Sequence, residues 1–226
     1  MARLPRLIVP GEAHYLILRG HAGLSEPGIC WDEQDRDTLL AALREAALNE
    51  GVQIHAYALL PTELQLLATP AQDAALGRMI QGLGRRYVSA YNRRHGRRGT
   101  LWDGRFRCAL VEAGASRLAV LQLIDGQAEA IATTSATHRT GGARQSLIAD
   151  IPEVWSLGNT PFEREAAYRE LLATGLVQAT RDKLRLSALG GWAIGSPAYI
   201  AELTGGGPRP VVPRARGRPR KSVEQD

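Results

Sequence analysis

Val52–Thr69 reads VQIHAYALLPTELQLLAT. Two apolar runs, Val52–Leu60 and Leu64–Thr69, are separated by Pro61 and Thr62. Proline fixes its own backbone and cannot donate to a ladder, so the break reads as a turn and the runs as paired strands of a hairpin.

The flanks give the hairpin its neighbours. Before it, Asp32–Glu50 carries Leu39, Leu40, Leu43, Ala46 and Ala47 at helical spacing, with acids near the start where the helix dipole favours them. Gly51 ends that helix. After it, a helix is expected from about Asp73 to Asn92, its apolar stripe formed by Leu76, Met79, Ile80, Leu83, Tyr87 and Tyr91. Arg78, Arg85, Arg86 and Arg93 lie opposite or beside that stripe. His14–Arg19 (HYLILR) is apolar enough for a buried strand. Arg105–Glu112 reads as a fourth strand and Ser116–Thr133 as a further helix. The order β-α-β-β-α-β is the ferredoxin-like, split βαβ form of an α+β domain. Such a sheet offers a flat face to a ligand.

Residues 1–135 are expected to form this domain, and 136–203 a small helical region. Within the latter, Gly141–Thr160 reads as loop, Pro161–Ala173 as helix, and Arg181–Leu203 as a helix pair joined at Gly195–Pro197. That pair suits either packing or a DNA-reading helix-turn-helix. Residues 204–226 hold too much Gly, Pro and Arg to bury a core and read as a disordered tail.

Charge is concentrated. Arg85–Arg107, RRYVSAYNRRHGRRGTLWDGRFR, holds eight arginines against Asp103, a net charge of +7, while the chain as a whole carries +5. The stretches on either side are net acidic, and 209–226 is basic again at +4. Guanidinium forks suit phosphates and never lose their charge, so nucleic acid is the partner this pattern implies. Arg85, Arg86, Arg93, Arg94, Arg97 and Arg98 are expected to line a helix end and loop. Arg105 and Arg107, two apart on a strand, are expected to share a face. Trp102 is the aromatic best suited to stack on a base, or else packs the turn before the fourth strand. Arg216, Arg218, Arg220 and Lys221 resemble an AT-hook core, an extended Arg-Gly-Arg suited to a narrow minor groove; a generic basic tail fits as well.

Other classes find no support. No apolar run approaches the roughly 20 residues that span a bilayer, and the N-terminus lacks a signal peptide's apolar region. Cys30 and Cys108 stand alone, as in a reducing cytosolic compartment. No Gly-rich loop precedes a Lys-Ser or Lys-Thr pair, so nucleotide hydrolysis is unsupported. His14, His21, His55, His95 and His138 make no ligand spacing. No cofactor and no membrane partner are expected.

ARLPRLIVPGEAHYLILRG (residues 2–20), IHAYALLPTELQLL (54–67), LGRRYVSAYNRRHGRRGTLWDGRFR (83–107) and GWAIGSPAYIAEL (191–203) resemble the REP-associated tyrosine transposases, a branch of the HUH-type single-strand transposases. The resemblance implies a metal held by two histidines flanking an apolar residue after the hairpin turn, and a tyrosine nucleophile on the helix after the fourth strand. It also implies a DNA partner, whether hairpin, single-stranded or duplex. Here Glu63 and Gln65 stand at the histidine positions and Leu123 at the tyrosine. Gln127, four residues on, would suit the auxiliary polar ligand found in some members.

Glu63 and Gln65 alternate around Leu64 and should point the same way. They read either as oxygen ligands or as polar residues on a solvated strand face. Tyr87 and Tyr91 lie on an apolar stripe and read as core. No catalytic or metal-binding set is therefore expected. The expectation is a nuclease-inactive DNA-binding protein, nucleoid-associated and acting in transcription regulation, with the transcription machinery as a further partner. A divergent active transposase using Glu63, Gln65 and Gln127, or an RNA binder, are the rivals.

Overall fold

A computed structural model describes residues 5–24, 28–127, 133–206 and 209–213. Strands β1 (Ala13–Arg19), β2 (Val52–Leu59), β3 (Glu63–Pro70), β4 (Arg107–Val111) and β5 (Thr133–Thr134) form one sheet in the order β4-β1-β3-β2-β5. Every pairing is antiparallel. Helix α1 (Glu33–Glu50) joins β1 to β2, and α2 (Ala75–Arg94) joins β3 to β4. Each crossover leaves one strand between the two it connects, which is the expected split βαβ topology.

The hairpin forms where expected. Its turn is clamped by the segment after β1: Gly20 N–H donates to Thr62 O and Ile29 N–H to Pro61 O. Helix α1 begins at an Asp32 cap that accepts from Asp35 N–H and ends at Gly51, whose φ of 63° is left-handed. In β2 the register slips between Ile54 and Ala56, so His55 is an extra residue. The bulge turns Ile54 and Tyr57 to one face and Ala56 and Ala58 to the other.

Both faces of the sheet are covered. Leu16, Leu18, Leu64, Leu66 and Ala68 pack under α1 and α2. Tyr15, Ile17, Leu67, Ala109 and Val111 pack under α3 (Ala115–Asp125), α5 (Pro161–Thr174) and α6 (Gln178–Gly190). Burial on both sides explains why HYLILR shows no polar alternation. The expectation of a flat sheet face open to nucleic acid is therefore corrected, since helices occupy both faces.

Other boundaries differ as well. β4 begins at Arg107, with Arg105 in the preceding bend. α3 stops at Asp125 because Gly126 caps it, and Thr133–Thr134 extends β2's outer edge where a helix was expected. The loop expected over Gly141–Thr160 contains a helical turn, α4 (Pro152–Trp155), and Ile148 bridges to Ile54. α6 starts at Gln178. Between α6 and α7 (Pro197–Gly206), Ile194 bridges to Val111 at the outer edge of β4. These helices are thus separated by a strand-like segment and are not a helix-turn-helix. α7 runs into the stretch expected to be tail, and Val211 is buried and accepts from Ala193 N–H. The AT-hook-like residues Arg216, Arg218, Arg220 and Lys221 lie outside the described residues. No helix among the described residues is long and apolar enough to cross a membrane.

Candidate nucleic-acid interface

The motif positions converge. Glu63 and Gln65 face α3 and α6 from the start of β3, and a cavity of about 240 Å³ is lined by Tyr15, Glu63, Gln65, Leu123, Gln127 and Arg185 among others. Glu63 and Gln65 point the same way, and Gln65 Nε2 donates to Glu63 Oε1 at 2.6 Å. They are not on a solvated face: Glu63 is 3% and Gln65 1% exposed. Arg185, from α6, forks onto Glu63, with Nη2 at 2.7 Å from Oε2 and Nη1 on Oε1. Tyr15 donates its hydroxyl to Gln65 Oε1 at 2.6 Å. Burial, reinforced by the Glu63 charge, raises the Tyr15 phenol above its ordinary range, so it stays protonated. Gln127 is half-buried and donates to Leu123 O.

A hard cation needs oxygen lone pairs facing an open position. Both Glu63 oxygens are taken by Arg185, and Gln65 Oε1 is taken by Tyr15. The residues present do not fit a metal, and a guanidinium occupies the place of a cation. Leu123, which also lines this cavity, carries no nucleophilic group.

The arginine-rich segment divides by contact. Arg85, Arg93, Arg98 and Arg105 are exposed and make no hydrogen bond or ion pair among the described residues. Arg86 pairs with Glu45 at 2.6 Å on the surface, an exposed contact worth little and readily exchanged for a phosphate. Arg94 is committed inward: its Nη1 lies 2.7 Å from Asp32 and 2.5 Å from buried Asp35, closing α1's start onto α2's end. Arg97 is half-buried, its guanidinium carbon 5.7 Å from the Tyr91 ring centre. Trp102 packs against the core beneath α2, its indole nitrogen buried, so the packing alternative is the one realised. Arg105 and Arg107 do share a side: both line a cleft near β4's start, although Arg105 precedes the strand.

No family model matches the chain, and no curated protein matches it. Over 55% of its length it is similar to a REP-associated tyrosine transposase solved bound to a REP hairpin, at 13% identity, covering 71% of that chain with a TM-score of 0.46. Over 56% of its length it is similar to a protein of Deinococcus radiodurans assigned to the transposases, at 20% identity, covering 98% of that chain with a TM-score of 0.37. These are likenesses of fold.

The remaining candidates are structural. Tyr87 and Tyr91 are buried and donate to the carbonyls of Ile29 and Gly28, both at 2.6 Å. His14 Nδ1 meets Glu12 O and Nε2 accepts from Val9 N–H, a pattern suited to the neutral ring; burial lowers its pKa to about 4. His55 is held between Ala149 O and Thr69 Oγ1. His95 contacts Asp35 at 2.8 Å, and His138 lies 3.4 Å from Asp150. His21 accepts from Gly23 N–H.

Sequence reasoning missed Arg185 and Tyr15 at this site. Arg185 had no local signal, because its partner is 122 residues away. Tyr15 stood within a quoted motif and an expected buried strand but offered no pattern of its own.

Proposed function

We propose that this chain binds DNA and does not cut it, acting at its sites as a transcription regulator. The observation that carries the reading is the fork of Arg185 on Glu63 where the resembled family keeps its metal. It stands alongside four exposed arginines, Arg85, Arg93, Arg98 and Arg105, with no acid partner among the described residues. An internal cation at this point supplies charge without an open coordination position, so no Lewis acid polarises a scissile phosphate. The free arginines supply phosphate contacts, which fix position on a strand without reading its sequence. Sequence or structure selectivity then belongs to the few groups that reach bases or hairpin shape.

The test is direct. The full chain is incubated with single-stranded, hairpin and duplex DNA in Mg²⁺ or Mn²⁺, then run under denaturing conditions beside a native binding assay. Salt-sensitive binding with no covalent protein–DNA adduct is expected. An adduct overturns the reading, and so does binding to matched RNA in preference to DNA. Mapping of bound sites across the genome then tests regulation, which predicts occupancy near promoters.

A further inference from the structure

Away from the Glu63 cavity, a cleft of about 170 Å³ opens between the N-terminal segment, the entry to β4 and the end of α6. Arg6, Arg105, Arg107 and Arg209 line it, with Phe106 and Trp192, and no acidic residue among the described residues lines it. The four come from three distant parts of the chain, so their meeting is a product of the fold.

The geometry fixes two of them. Arg6 lies 3.7 Å over the Phe106 ring and donates to Phe106 O. Arg209 donates to Gly191 O, and its Nε is buried with no partner. Arg105 and Arg107 flank Phe106 in the chain, and all three line the cleft. Neither arginine makes an ion pair or hydrogen bond among the described residues. Burial penalises the charge of Arg209. An anion bound in the cleft relieves that cost.

We infer that this cleft is a phosphate site for a nucleic-acid strand, entered along the exposed arginines that precede it in the chain. The inference rests on the proposed DNA binding and adds Arg6 and Arg209 to it. The planar forks suit phosphate oxygens, and Phe106 and Trp192 limit the cleft to a compact anion.

The test uses the full chain and a labelled single-stranded DNA, with a 5′-phosphate or a 5′-hydroxyl, titrated over a range of salt. Arg105→Ala with Arg107→Ala is expected to weaken binding about tenfold and flatten the log–log salt slope by roughly 1.4, two contacts at about 0.7 each. Neither side chain makes a hydrogen bond or ion pair among the described residues, and circular dichroism of the pair checks that the fold is kept. Arg209→Lys keeps a charge but loses the fork, and is expected to weaken binding about threefold. Pyrophosphate should compete with DNA on the wild type and have less effect on the double variant. A 5′-phosphate that helps the wild type alone assigns the cleft to the strand end, and equal losses on both strands assign it to an internal phosphodiester. Either result supports the site. If the wild type binds DNA and the double variant matches it in affinity and slope, the inference falls and the proposed function stands. Pyrophosphate binding without any DNA effect also overturns it. A wild type that binds no DNA overturns both.

Discussion

Glu63 is nearly inaccessible, while the Arg185 side chain is 39% exposed. Removing one partner from a fully buried pair costs about 3–5 kcal/mol. Exposure of Arg185 screens part of that, so Arg185→Met is expected to cost about 1–3 kcal/mol in urea denaturation. The double variant Glu63→Gln with Arg185→Met should recover most of the loss, since the stranded charge goes with it. Strict additivity would show that the pair is not coupled. His14 gives a prediction in pH. Its folded pKa of about 4 lies below the ordinary 6.5, so the unfolded chain binds the extra proton between those values. Its contribution is complete above pH 6.5 and is lost as pH falls to 4, a loss of about 3 kcal/mol. Stability measured from pH 7 down to 4 should fall less steeply in His14→Gln. Of the candidate site, residue types and neighbours in sequence were legible: Glu63 and Gln65 do share a side, and Leu123 and Gln127 do meet them. What filled the site was not legible, because a guanidinium from α6 reaches it only after the C-terminal helices fold over the sheet.

At the scale of elements, the hairpin was readable from Pro61 and two apolar runs, and α1 and α2 from their periodicity and Gly51. The bulge at His55 was not, since one extra residue leaves the apolar pattern nearly unchanged. Nor was β5, two residues long and defined only by its partner. Gly28 shows how the hairpin turn is held. Its φ is 101°, and a Cβ there would lie 2.0 Å from Pro61 O. Gly28 also accepts from Tyr91, tying the turn to α2. Gly28→Ala is expected to cost about 3 kcal/mol by combining backbone strain with this overlap. Thermal denaturation measures it, and a loss under about 1 kcal/mol would show that the loop gives way freely.

Across the whole molecule, ion pairing divides the arginines of the 85–107 segment into paired and exposed ones. Arg94, Arg86 and Arg185 lie in ion pairs, whereas Arg85, Arg93 and Arg98 make none among the described residues. Replacing those three with alanine should lower DNA affinity uniformly across sequences and reduce the salt slope by roughly 0.7–0.9 per lost contact. Arg94→Ala should instead lower the melting temperature, as the junction of α1 and α2 opens. Ending the chain after Gly207 removes Arg209 together with the basic segment. Duplex affinity should then drop more than discrimination among sites, measured by competition with mixed-sequence DNA.

The bridges at the two margins of the sheet have a further consequence. Thr133–Thr134 pairs with β2 on one side, and Ile194 pairs with β4 on the other. Unpaired margins recruit strands from other molecules. Short plugs at both ends make this a sheet that stops growing, so concentrated protein should not polymerise through its backbone. Deleting the stretch from 192 to 195 uncovers β4 and is expected to raise edge-to-edge association, measured by light scattering against the intact chain.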